Sequence, residues 1–349
     1  MKKLMSIIIV LSEIAGCGLK DTTINESIIA KGTMPNLAVD GENKIHLVFG
    51  KGDSLLYSNS PDQGATFSTP SLICRLPKLM ATAMRGPQIA VTSEGLCVTA
   101  CNTSGNIFSF TLNSTGKWTK AQRINDVDTV ARENLMALAA ENQHAFAVWL
   151  DLRNGHNCIY GSRSTDVGKT WSKNVLIYAS PDSTVCECCK PSVQIKGDNV
   201  YVMFRNWLKG SRDLYLIQST DGGSGFGEAQ KLGTGTWMLN GCPMDGGAFV
   251  INQKGDPETI WNRKGQIFLC EPGHEEVKLD DGKSCAIDSR DGKSAFSWIK
   301  NREIIVMNSK GEKKELGPGE LPVIKAINDK KIICVWQKDQ QIYRAVLPI

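Results

Sequence analysis

Short β-type runs ending in an aromatic recur along this chain, and that recurrence constrains its fold more than any other feature. HLVFGK, FAVWLD, VMFRNW, ETIWNR, AFSWIK and ICVWQK carry the markers Phe49, Trp149, Phe204, Trp261, Trp298 and Trp336. A seventh unit, LCVTACNT around Ala100, keeps the pattern without the aromatic. Successive markers stand 51, 49, 55, 57, 37 and 38 residues apart. A proline often opens the preceding run, as in MPNLAVD, GPQIAVT, KPSVQIK, CPMDGGAFV and LPVIKAI. Helical periodicity is nearly absent, and the runs are β-branched or alternating and end at Gly, Asn, Asp or Ser. A repeat of roughly 40–55 residues with four short strands per unit predicts an all-β propeller.

The period also predicts how the ring closes. The last unit starts near Pro322 and has room for three strands before Ile349. The segment Asn25–Lys31 precedes the first full unit and can supply the missing outer strand, which removes an exposed sheet edge. Seven blades are expected. Six is the alternative, because the last two units are short, and a pair of β-sandwich domains is the competing architecture.

The N-terminus reads MKKLMSIIIVLSEIAGC. Lys2 and Lys3 precede an apolar run, Leu4 to Leu11, that is too short to span a bilayer and suits a signal-peptide core. Ile14-Ala15-Gly16-Cys17 resembles the bacterial lipobox, which implies cleavage before Cys17 and a lipid on its thiol. The expected organisation is a signal peptide over 1–16, a tether over 17–24 and one propeller domain over 25–349. Its expected place is the bacterial cell envelope, periplasmic or on the outer surface, membrane-attached through Cys17. A net charge of +4 over 349 residues lacks the concentrated basic stripe that nucleic acid requires. Of 12 cysteines, removing Cys17 leaves an odd number that cannot all pair within one chain.

Three turns are more specific. Ser60-Pro61-Asp62-Gln63-Gly64-Ala65-Thr66-Phe67, Ser164 to Trp171 around Asp166, and Ser219 to Phe226 around Asp221 share S-x-D-x-G spacing. Asn113 to Trp118 reads as a decayed copy. An aspartate here accepts backbone N–H groups across the turn, so Asp62, Asp166 and Asp221 are read as structural. The turns resemble the Asp-box of the sialidase-like BNR-repeat propellers. The resemblance covers most of Met34 to Gly233. It implies that the turns join the third and fourth strands of a blade, on the face opposite the binding site. DLRNGHNCIYGSRSTDVGKTW, CECCKPSV and MLNGCPMDGGAF further resemble a group of bacterial sialidase-like lipoproteins.

The opposite face then collects the candidate functional residues. The resemblance to sialidases implies an arginine triad against a substrate carboxylate and an Asp acid/base, with no cofactor required. Arg85, Arg205 and Arg263 are the triad candidates and Asp151 the acid. Guanidinium suits a carboxylate because it bonds in two places at once. The nucleophilic tyrosine of that family is not identifiable, since Tyr160, Tyr201 and Tyr215 read as strand residues, so turnover is left open. Arg153, Arg212, Trp207, Trp237 and Asp245 are candidate ligand-binding residues for a glycan or small anion, with or without hydrolysis. A separate reading rests on CECC: Cys186, Cys188 and Cys189 with Cys242 and His156 could hold copper or zinc or form a redox site. The competing account is disulfides, from Cys186, Cys188 or Cys189 to Cys242 or Cys158, that pin the mouth loops. Adjacent Cys188 and Cys189 point opposite ways in an extended segment, which favours two different partners.

Overall fold

The computed structural model describes residues 27–113, 115–182 and 184–349. The expected signal peptide, the tether and Cys17 lie outside the described residues. Seven four-stranded antiparallel sheets form the ring, so the chain is a seven-bladed propeller with no helix among the described residues. Blades 1 to 6 span 33–75, 88–123, 136–178, 192–231, 247–281 and 283–318. Blade 7 combines residues 320–348 with the N-terminal strand Ser27–Lys31, which pairs with the C-terminal strand Gln341–Pro348.

The markers explain why the ring holds. Each sits in the second strand of its blade and is essentially excluded from solvent. Each also packs backwards onto the preceding blade. Trp336 joins the cluster of Ile304 and Leu316 from blade 6, and Trp298 that of Ile260 and Ile267 from blade 5. Trp149 packs with Cys101 and Ile107 of blade 2, and Phe49 with Ile333 and Val335 of blade 7. At six of the seven interfaces the marker is a large aromatic that removes a wide apolar area from water, worth about 2–3 kcal/mol each.

The Ser-x-Asp turns sit where the third strand meets the fourth. Asp62 accepts from Thr66 N (2.9 Å) and from the hydroxyls of Ser60 (2.7 Å) and Thr66 (2.6 Å). Asp166 repeats this with Ser164 and Thr170, and Asp221 with Ser219 and Gly225 N. These donors hold Asp62 below the usual carboxylate range.

Strand alternation puts these turns on one face and the blade-to-blade connections on the other. Four connections are long, covering 76–87, 124–135, 179–191 and 232–246. The other three are single glycines: Gly282, Gly319 and Gly32. Each lies flat on the marker of the blade it enters. A Cβ would stand 2.6 Å from Trp298 at Gly282, 2.2 Å from Trp336 at Gly319 and 2.3 Å from Phe49 at Gly32. The mouth face is therefore built up over one half of the ring and left low over blades 6, 7 and 1.

Candidate functional site

The raised half of the mouth is organised by sulfur and guanidinium. The 179–191 connection lies along the end of blade 4's second strand, with Cys186 N donating to Arg205 O at 3.0 Å. Cys188 is disulfide-bonded to Cys242 on the 232–246 connection, which staples two neighbouring loops. The alternatives open in the sequence thus resolve to one pair, with an exposed Cys242 and a buried Cys188. Cys189 has a different neighbour: its thiol lies 3.3 Å from the Cys186 sulfur, which is itself 3.8 Å from the Cys188 sulfur. The sulfurs of Cys186, Cys188 and Cys189 form one compact buried group. His156 is outside that group. Cys158 lies elsewhere, with its sulfur against Asn154. With Cys188 oxidised, the group offers at most two thiolates, too few for a closed four-ligand zinc site.

Two guanidiniums face this group. Arg212 Nη1 donates to Cys186 Sγ at 3.0 Å, and the side chain stacks on the exposed Trp207 at 4.9 Å. Arg205 is only 2% exposed. It donates to Arg212 O (2.7 Å) and Asn262 O (3.0 Å) and lies 5.3 Å from the Trp237 ring. Its buried Nε has no partner. Neither Arg205 nor Arg212 has a carboxylate oxygen within 4.0 Å among the described residues. The hydrogen bond between the Cys186 and Cys189 sulfurs brings Cys186 below the ordinary thiol range against its burial, helped by the two arginines, while burial pushes Cys189 up. Asp245 is buried and accepts from Asn262 Nδ2 (2.9 Å) and Ser284 N (3.1 Å); burial raises its carboxyl.

The other sequence-predicted residues are committed to ties between elements. Asp151 is buried, accepting from Trp149 Nε1 at 2.8 Å and from the backbone N, Nε and Nη2 of Arg153, each at 2.9 Å. Arg153 also reaches Asp126 (2.9 Å) and lies over Tyr160. Arg263 pairs with Glu276 at 2.5 Å and stacks on Phe268. Arg85 donates to Glu133 O (2.6 Å) and Ala83 O (3.1 Å), with the Glu133 carboxylate at 3.8 Å. The structure thus gives Arg85 and Arg263 separate carboxylate partners and turns Arg205 toward the sulfur group.

Two connected hollows complete the face. An axial pocket of about 260 Å³ is lined by Met34, Gln88, Lys190, Asp245, Cys285 and Leu321. Lys190 donates to Gln88 Oε1 at 2.8 Å, and burial brings its amine down to about 8. Met84, Ser284 and Leu321 are shared with a groove of about 1290 Å³ that runs over the low half of the ring, past all three blade-entry regions. Lys283, Arg302 and Lys338 line it and form no ion pair among the described residues, whereas Lys300 is paired with Asp280. Asp281, Glu320 and Asp339 add acceptors. Nothing in the sequence reading singled out this groove. The available signal was the short spacing of the last two markers, which means short connections and an open face.

These features define a seven-bladed propeller with a sulfur-rich rim and an open polar groove. The BP39L lectin from Burkholderia pseudomallei shares the fold, with a TM-score of 0.66 at 11% identity over 92% of this chain and 97% of the lectin. A virginiamycin B lyase from Staphylococcus aureus gives 0.58 at 13% identity over 93% and 99% of the two chains. An ulvan lyase bound to -[GlcA(1-4)Rha3S]- gives 0.56 at 11% identity over 92% and 95%. At these identities the likeness is one of fold. No family model matches the chain, and no curated protein matches it.

Proposed function

We propose that this protein is a glycan-binding propeller of the bacterial cell envelope whose ligand carries carboxylate or sulfate groups. The observation that carries the reading is the groove over blades 6, 7 and 1. Lys283, Arg302 and Lys338 line it without ion pairs, and it opens into the axial pocket where Lys190 stands. Unpaired cations on a preformed groove bind an anion without first breaking a salt bridge, and the neighbouring carboxylates accept from sugar hydroxyls. The lectin and the ulvan lyase among the structural neighbours are compatible with a sugar ligand on this fold. The reading assigns binding rather than sialidase-type hydrolysis, because Asp151, Arg85 and Arg263 are already engaged by protein partners.

The test is a glycan array with uronate-, sialate- and sulfate-bearing members beside neutral ones, followed by calorimetry on any hit. Binding of acidic members that is lost in a Lys283→Glu/Arg302→Glu variant is the expected result. Retention of only neutral sugars, or indifference to that charge reversal, defeats the reading. A fluorogenic sialoside in the same samples tests turnover. The proposed tether is Cys17, lipid-modified after removal of residues 1–16. Labelled palmitate should enter the wild-type protein and not a Cys17→Ala variant.

A further inference from the structure

The four sulfurs at the rim are arranged for more than a staple. Cys186 and Cys189 stand three residues apart, a C-x-x-C pair within CECC, and both remain thiols with sulfurs 3.3 Å apart. The Cys188–Cys242 disulfide lies beside them, its buried sulfur 3.8 Å from Cys186. One end of that disulfide faces solvent at Cys242 and the other faces the thiol pair. A loop staple alone needs neither the second thiol pair nor cations around it. Yet Arg212 donates directly to the Cys186 sulfur, and Arg205 is buried nearby with an unpartnered Nε, its charge felt by Cys186 and Cys189 as well as by the buried Asp245. Two guanidiniums this close to a thiol favour its anionic form. Thiolates formed during exchange take that form.

We infer that Cys186, Cys188, Cys189 and Cys242 form a thiol–disulfide relay that moves a disulfide between the buried C-x-x-C pair and the exposed Cys242. The Cys186 thiolate attacks the Cys188 sulfur. A Cys186–Cys188 bond forms, the Cys188–Cys242 bond breaks, and Cys242 leaves as a thiolate that takes a proton from solvent. Cys189, having given up its proton, then attacks Cys186. A Cys186–Cys189 bond forms, and Cys188 departs as a thiolate and is protonated in turn. One disulfide and two thiols are present at the start and at the end, so no outside oxidant is consumed. Exchange of this kind proceeds by thiolate attack on a disulfide sulfur. The net effect is to present a free thiol at the surface, at Cys242, for exchange with an external disulfide. This site is separate from the proposed glycan groove, and its test does not depend on any sugar.

The experiment follows Cys242. Full-length protein is purified without reductant, exposed to a maleimide under native conditions, quenched in acid and mapped without reduction. The expected result is slow labelling of Cys242 in the wild type, accompanied by a Cys186–Cys189 peptide. Cys186→Ser should slow Cys242 labelling by at least ~10-fold and leave only the Cys188–Cys242 pairing. Cys189→Ser should still allow labelling but stop at Cys186–Cys188. Because a buried substitution can disturb folding, Arg212→Gln provides an independent arm, and melting curves accompany all variants. It leaves every sulfur in place and should slow labelling several-fold. A wild-type Cys242 that is never labelled, or labelling unaffected by Cys186→Ser and Arg212→Gln, overturns the relay.

Discussion

Trp149 and Trp298 offer a controlled comparison of what a buried indole N–H is worth in this ring. Both are fully buried second-strand markers packed on the preceding blade. They differ chiefly at the indole N–H, although Lys313 Nζ also lies 5.4 Å from the Trp298 ring. Trp149 Nε1 donates to the buried Asp151 carboxylate at 2.8 Å, while Trp298 Nε1 has no partner. Trp→Phe removes similar volume at each site, a packing loss of about 1–2 kcal/mol. At Trp149 it also removes a hydrogen bond to a charged group, adding roughly 1.5–3 kcal/mol. At Trp298 it removes an unsatisfied buried donor, which returns about 1–3 kcal/mol. Trp149→Phe should therefore cost about 2.5–5 kcal/mol, and Trp298→Phe should lie between a loss of about 1 kcal/mol and a gain of about 2 kcal/mol. With an unfolding entropy of about 2.1 cal/mol/K per residue, the difference of about 2.5–6 kcal/mol corresponds to a gap in Tm of roughly 3–8 °C. Thermal melts by circular dichroism and urea midpoints measure it. Equal shifts in the two variants, or a larger loss at Trp298, would refute the assignment of the difference to that N–H.

Other expectations follow from the same structure. Gly319→Ala places a Cβ 2.2 Å from Trp336 Cδ1 and should lower stability by about 1–3 kcal/mol, read as a lower urea midpoint. Glu276 is partly buried, which would raise its carboxyl, but backbone N–H donors and Arg263 outweigh this and hold it at about 2. Its stabilisation is full above the unfolded value near 4.5 and fades as pH falls toward about 2, so Glu276→Gln should flatten the acid-side loss of stability across that window. Asp62→Ala removes the acceptor of three donors at one turn and should lower the urea midpoint, with the fold retained by circular dichroism.

The fold was legible because its cause is local and repeated. Each marker meets the preceding blade in the same way, so the aromatic spacing reports the ring directly, and even Ala100 occupies its place in the series. The closing strand was legible because the last unit lacked one. The mouth was less so. Which cysteine of CECC meets Cys242 depends on the fold of two loops, and spacing carries no information about it. The arginines were visible as residue types, but Glu276 for Arg263 and Glu133 for Arg85 are partners set by tertiary packing. The groove was hidden for a different reason: it is made by what is missing, three connections reduced to one glycine each.

The closing strand has a consequence in time. Ser27 is paired with Arg344, so the closing strand leaves the ribosome about 317 residues before its partner. At about 5–20 residues per second, that lead is roughly 15–65 s. Over this interval blade 7 does not exist, and blade 1 has no neighbour on the side where Phe49 will pack. The nascent chain carries an unpaired apolar strand and an uncovered sheet face, the features that recruit holding chaperones or drive self-association. Synthesis rate and chain protection therefore bear on the yield of this ring beside its final stability.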